Sequence, residues 1–298
     1  MLGPARASAP GKPLAGLVDL HIHSTASDGT DTPSALVQQA FSLGLEAIAL
    51  TDHDTMDGVS EGSAEAEKVG LEFIPGCELA AYTPFGEMHI VCLWMDPEKK
   101  DIASLLAWQN KMREARNREI LEMLKTVGID ISYEELESEN GSMGRPHIAR
   151  AILRRGYANS LQDAFKRFLV PGRAAFVPRK LMQPEEILET VKKSGVTTVF
   201  AHPMALPAPK TWLEQLVESL AETRLLDCLE AYHPEHDNSK TRYVEGLAAR
   251  HKLLLSGGSD YHGLVKPKVQ LGRGEGKLRV PVELLNLMKK QRAANLSV

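Results

Sequence analysis

Asp19-Leu20-His21-Ile22-His23-Ser24 places two histidines at i and i+2, and strand side chains at that spacing share one face. The intervening Ile22 faces the opposite way, into packing. Asp28 follows a few residues on, and Thr51-Asp52-His53-Asp54 comes after one helix length. Neutral imidazoles beside a carboxylate are what a divalent metal requires. The same donor types recur at predicted strand ends: Glu78 in Gly76-Cys77-Glu78, His202 before Pro203, and Asp260 and His262 in Ser259-Asp260-Tyr261-His262. All are nitrogen or oxygen donors, which selects Zn, Mn or Fe over a thiolate site. Glu78 carries two oxygens and so could bridge two ions. Two or three metals are expected, and a closely spaced pair clamps the attacking and leaving oxygens of an in-line displacement. Hydrolysis of a phosphate ester is the chemistry that fits.

The elements that must carry these residues alternate. Strands are expected at 17–22, 47–50, 72–74 and 86–93, with helices at 32–43 and 60–69. Thr32 is the N-cap and Pro33 the first turn of the first helix, and Gly44 closes it. Such βαβα alternation predicts a mainly parallel sheet or barrel with its chemistry at the C-terminal strand ends. After Asp96-Pro97 the rhythm stops. Helices at 102–127, 133–139, 146–155 and 161–168 form an all-helical insertion. Alternation resumes with helices at 184–194, 211–221 and 239–250 and strands at 197–201, 228–231 and 253–256. The organisation expected is a disordered tail over 1–16, a discontinuous barrel over 17–98 and 181–298, and a helical cap over 99–180.

At 298 residues, 43% apolar and 25% charged, the chain has the composition of a globular protein with a full core. No run of about 18 apolar residues is present, so no membrane span is expected. Met1 to Gly16 lacks an apolar signal-peptide core. Cys77, Cys92 and Cys228 sit in apolar runs without metal-type spacing, and buried free thiols in the cytoplasm are expected. Residues 99–180 hold 16 basic and 10 acidic residues, a net of +6, which leaves −10 for the remainder of a chain whose total is −4. A basic segment beside an acidic, ligand-rich body suits an anionic substrate.

Together, the His21/His23, Asp52-His53-Asp54, Glu78, His89, His202-Pro203 and Asp260-Tyr261-His262 motifs resemble the polymerase and histidinol phosphatase (PHP) family. The resemblance runs from Leu17 to about Gly263. It implies an α/β fold, a distorted (β/α)7 barrel with a di- or trinuclear metal site. Carried over by motif, the ligands are His21, His23, Asp28, His53, Glu78, His89, His202, Asp260 and His262, with His202 and Asp260 also serving catalysis. Asp52 and Asp54 are expected to orient imidazoles. Gly144-Arg145-Pro146-His147-Ile148-Ala149 is similar to a pattern of the small stand-alone members. Those act on 3′,5′-bisphosphate nucleotides or, as 5′→3′ exonucleases, on short RNA. In that light Arg145 and His147, at a helix start whose free amides attract anions, are substrate contacts. Arg179, Lys180 and His236 are further candidates, and His233 is placed to protonate the leaving oxygen. His251, at the opposite strand ends, is expected to be structural.

The reaction expected is attack by a metal-bridging hydroxide on a small phosphorylated nucleotide. A short oligonucleotide is the alternative substrate, and 5% aromatic residues offer few stacking platforms for long single strands. Histidinol-phosphate-like hydrolysis and amidohydrolase-type C–N hydrolysis are the remaining alternatives; the latter usually brings a bridging lysine where this chain has Glu78. A closed structural metal site is disfavoured by the open, Arg-lined mouth.

Overall fold

The computed structural model describes residues 14–136 and 142–296. Seven strands form one curled sheet in sequence order: β1 (Val18–Ile22), β2 (Ala47–Leu50), β3 (Glu72–Thr83), β4 (Gly86–Leu93), β5 (Thr197–Phe200), β6 (Cys228–Tyr232) and β7 (Leu254–Gly257). All neighbours are parallel except at β4, which runs antiparallel to both β3 and β5. The third strand is longer than its sequence suggests. Beyond Ile74 it continues to Thr83 because Gly76 to Thr83 pair residue by residue with β4, so Glu78 lies inside a hairpin and not at a strand terminus. The sheet closes on itself where Asp260 N–H donates to His21 O (2.8 Å) and His23 N–H to Tyr261 O (2.9 Å). Gly258 makes this seam fit: a Cβ there would stand 2.3 Å from the His21 Cβ.

Helices cover the outer face. α1 (Pro33–Leu43) starts as expected, Thr32 accepting from Ala35 N, and ends at Gly44 with φ 77°, a left-handed turn that costs glycine nothing. α1 and α2 (Val59–Val69) pack Leu36, Val37, Ala40 and Ala66 on Ile22, Ile48 and Leu50. α6 (Pro184–Lys192), α7 (Lys210–Glu222) and α8 (Asn238–His251) pack against β3 to β6. A last helix, α9 (Val282–Leu296), had no counterpart in the sequence reading, and its Leu285 and Met288 join Val18, Leu20, Val91 and Val199 in a further core layer. The three cysteines are buried free thiols.

Between β4 and β5 stand α3 (Lys100–Thr126), α4 (Arg145–Arg154) and α5 (Leu161–Ala164), the last running into a π-turn over Phe165–Leu169. α3 belongs to two cores. Its first half (Ile102, Leu105, Leu106) packs into the barrel, and its second half (Ile120, Leu121, Leu124) joins α4 and α5 in a separate apolar cluster. Residues 133–136 are a turn where helix was expected, and the rest of that stretch lies outside the described residues. So do residues 1–13 of the expected tail, while Leu14, within the same stretch, is buried and donates to Leu43 O (2.8 Å).

Candidate metal centre

Every residue nominated as a ligand meets at the barrel mouth, and Glu78 is the hub. Its Oε2 lies 3.3 Å from His21 Nε2, 3.3 Å from His23 Nε2 and 3.1 Å from His53 Nδ1. Oε1 lies 2.9 Å from His89 Nδ1 and 3.1 Å from His202 Nε2. Asp260 Oδ1 is 3.3 Å from His23 Nε2, and Asp28 Oδ1 is 3.3 Å from His262 Nε2. Four overlapping donor groups result: His23, Asp28, His53 and His262; His21, His23 and Asp260; His21, Glu78 and His202; and His53, Glu78 and His89.

The donors fit divalent cations by three independent features. First, His21 Nε2, both ring nitrogens of His23, His53 Nδ1 and Glu78 Oε2 are buried without a hydrogen-bond partner, an expensive arrangement that coordination would repair. Second, tautomers are set from behind. Glu230 Oε1 accepts from His21 Nδ1 at 3.0 Å, and the Asp260 carbonyl accepts from His262 Nδ1 at 2.8 Å, so each Nε2 turns a lone pair inward. Third, the field calls for positive charge. Burial disfavours protonated imidazoles, yet Asp260 and Glu78 push His23 up to about 9, and Glu78 with Glu87 pushes His89 up to about 10. At His53 burial prevails and holds the ring down at about 3. Glu78, Asp28 and Asp260 are themselves buried, but the surrounding cations hold each well below the usual carboxylate range.

The scaffold behind the ligands is carboxylate-rich. Asp52 accepts from Ser24 N (2.8 Å), Ser24 Oγ (2.7 Å) and Ser27 Oγ, bracing the loop that carries Asp28. Asp54, with φ 55°, turns its side chain to Arg113 and Arg179. Neither carboxylate grips an imidazole, which corrects the sequence reading; that role falls to Glu230, whose Oε2 also accepts from His202 N at 2.6 Å. His202 (φ 31°) and Asp260 (φ 51°) are likewise in the left-handed region, so three non-glycine strains gather around one site. Asp19 takes Ser259 N (2.8 Å) and Gly272 N (2.7 Å), fixing the loop that presents Asp260.

The remaining candidates are distributed around this centre. His233 accepts from Glu235 N at Nδ1 (3.2 Å), which leaves its Nε2 proton facing Asp260 Oδ2 at 3.4 Å. His236 spends Nδ1 on Ala231 O (2.9 Å), and its ring lies 5.4 Å from that of His233. Arg145 stands at the N-terminus of α4, 4.0 Å from Glu87 Oε1, whose partner oxygen is 4.0 Å from His89 Nε2. His147 is buried in the first turn of α4 and accepts from Gly144 N at 3.1 Å. Arg179 is fully buried, held by Asp54 and by Gln109 O (2.9 Å) and Oε1 (2.7 Å), whereas its neighbour Lys180 is exposed. His251 ends α8 and, with Lys192, Asp227 and Arg292, lines a cavity that includes none of the ligands. Lys266, which the sequence reading passed over, pairs with Asp260. A cavity of about 140 Å³ lies over His53, His89, His202, His233, Asp260 and Lys266.

A curled, mainly parallel seven-stranded sheet with these donors at its mouth defines the class as a metal-dependent hydrolase. The chain belongs to the PHP family, since the PHP domain model matches residues 19–193. It is 34% identical over 261 residues to the 5′-3′ exoribonuclease Rnm of Escherichia coli, covering 86% of this chain and 88% of that one. It is 29% identical over 250 residues to the 3′,5′-nucleoside bisphosphate phosphatase of Chromobacterium violaceum, covering 82% and 87%. A Bifidobacterium adolescentis structure assigned as a metal-dependent phosphoesterase superposes with a TM-score of 0.81 at 30% identity, covering 93% and 96%. The protein is a PHP metal-dependent phosphoesterase. Among the described residues, no helix is long and apolar enough to cross a membrane.

Proposed function

We propose that this chain hydrolyses a phosphoester of a nucleotide that carries a second phosphate, with 3′,5′-bisphosphate nucleotides as the preferred substrates. The observation that carries the proposal is the junction at His89: the ring touches Glu78 on one side, and Glu87 and its arginines lie on the other. One phosphate fits the cavity of about 140 Å³ over the ligands. The remainder of the substrate then extends past Glu87 towards Arg145. Residues 99–180 act as the cap that brings Arg145 and His147 to the mouth.

Two or three ions of Mn, Fe or Zn are the proposed complement, held by His21, His23, Asp28, His53, Glu78, His89, His202, Asp260 and His262. Bound divalent ions supply an acidified water and charge neutralisation at phosphorus. The protein contributes the rest. Glu230 and the Asp260 carbonyl hold two imidazoles in the ligating tautomer, and Lys266 adds a positive charge beside Asp260. The His233 Nε2 proton is directed at the cavity wall, where it serves the leaving oxygen. A 5′→3′ exonuclease acting on short RNA is the second reading, favoured by the relative at 34% identity.

The test is phosphate and nucleotide release from adenosine 3′,5′-bisphosphate, AMP, histidinol phosphate and 5′-phosphorylated short RNA, with Mn and with chelator. Release from the bisphosphate well above AMP supports the proposal. Mononucleotides from RNA at a higher kcat/KM move the assignment to the exonuclease, and silence across the panel with metals bound rejects both.

A further inference from the structure

The loop after β7 carries a cation into the mouth. Gly263–Val265 form a short 3-10 turn that folds the chain back over Asp260. Thr30 Oγ1 accepts from Leu264 N at 2.9 Å and pins the turn. Gly263, at φ 62°, passes so near that a Cβ there would stand 2.0 Å from the same Oγ1. The turn returns Lys266 to the mouth, where its ammonium pairs with Asp260 Oδ2.

Asp260 divides its two oxygens. Oδ1 faces the metal ligands, 3.3 Å from His23 Nε2 and 3.7 Å from His21 Nε2. Oδ2 takes both Lys266 Nζ and the His233 Nε2 proton, and all three residues line the cavity of about 140 Å³. Lys266 can therefore keep its place while Oδ1 serves a cation. An ammonium has three donors. One is spent on Oδ2, and the other two have no protein partner among the described residues. The side chain is 36% exposed, which leaves it open to an incoming group. Among the described residues around the cavity, Lys266 is the one lysine or arginine. Arg113, Arg116, Arg145 and Arg179 gather instead at Asp54 and Glu87 and do not line it. Glu235 is the one carboxylate in the lining besides Glu78 and Asp260.

We infer that Lys266 is a further catalytic residue, whose ammonium donates to a non-bridging oxygen of the phosphoryl group seated over the ligands. This rests on the phosphoesterase reading of the site and names the side chain that neutralises the reacting group itself. Phosphoryl transfer spreads negative charge over the non-bridging oxygens. A cation already held in place meets that charge without reorganising. No bond to Lys266 forms or breaks, and the proton for the leaving oxygen is left to His233 Nε2.

The test compares Mn-loaded wild type, K266M and K266R. In K266M, kcat/KM for phosphate release from adenosine 3′,5′-bisphosphate falls about 100-fold, as for the loss of one preorganised donor. Calorimetric titration with inorganic phosphate, which needs no turnover, gives a Kd at least about tenfold weaker. K266R, which keeps the charge on a larger head, recovers at least about tenfold of the lost kcat/KM. Mn affinity, from competition against a fluorescent chelator, stays within about threefold of wild type because Asp260 Oδ1 is untouched. Phosphate affinity or kcat/KM in K266M within about twofold of wild type overturns the inference. So does a loss of Mn affinity of about tenfold or more, which makes Lys266 a positioning residue for Asp260. Failure of the phosphoesterase reading has a different signature: Mn-loaded wild type releases no phosphate, while K266M still binds inorganic phosphate at least about tenfold more weakly.

Discussion

Glu230→Gln isolates the support behind the metal ligands without touching them. Glu230 accepts two hydrogen bonds, from His21 Nδ1 at 3.0 Å and from His202 N at 2.6 Å. A glutamine carries one acceptor and one donor group. If its oxygen serves His202, its NH₂ faces His21 Nδ1, which must then accept, and the ring proton moves to Nε2, where it blocks coordination. If its oxygen serves His21, the NH₂ opposes the His202 N–H and strains a residue already at φ 31°. In the first case the ligating tautomer is lost, and in the second a buried donor goes unsatisfied, a penalty of about 1–3 kcal/mol. Placed on the metal equilibrium, that corresponds to a loss of roughly 10–100-fold in affinity, the range expected when such a support is removed. The assay is competition for Mn or Zn against a fluorescent chelator, with thermal unfolding of the metal-free variant alongside. Metal affinity within twofold of wild type refutes the reasoning, whatever the effect on unfolding.

Three other outcomes follow from the same geometry. Gly258→Ala puts a Cβ 2.3 Å from the His21 Cβ at the seam, and stability falls by about 1–3 kcal/mol or more in urea unfolding; an unchanged midpoint would show that the seam gives freely. Asp54→Asn leaves Arg113 and Arg179 buried around a neutral amide, so the loss is about 3–5 kcal/mol, and a loss under about 1 kcal/mol would contradict the pairing. Free Mn at about 100 times its Kd stabilises the fold by about 2.7 kcal/mol over the chelated protein, read as a shift in the urea midpoint. The midpoint stays put if the cluster does not bind metal.

The centre was legible because its donors obey simple rules. His21 and His23 show strand alternation, and His53, His202, Asp260 and His262 follow apolar runs where parallel strands end. The helix caps at Thr32 and Gly44 were equally plain. What escaped notice depends on distant partners. Glu230 sits within an apolar strand, and only the fold brings it to His21, 209 residues away. Asp54 adjoins a ligand, but its positive φ turns it from the metals to Arg179, 125 residues on. Arg116 looks like one solvated cation among many on α3, and burial alone distinguishes it. The β3–β4 hairpin was read short because Pro75 and Gly76 resemble a strand end, whereas pairing with β4 carries the strand to Thr83. α9 lacks an apolar stripe strong enough to reveal itself; its role emerges from the layer it covers.

Under the proposed function, Glu78 joins several metal sites which together hydrolyse a phosphoester. The most direct measurement strips the protein with chelator, reconstitutes it with Mn, and determines ions bound per chain beside phosphate release from adenosine 3′,5′-bisphosphate, for wild type and E78Q. Two or three ions with restored release in wild type, and fewer ions with no release in E78Q, are the predicted results. A single ion in wild type, or a full complement in E78Q with undiminished release, would contradict it.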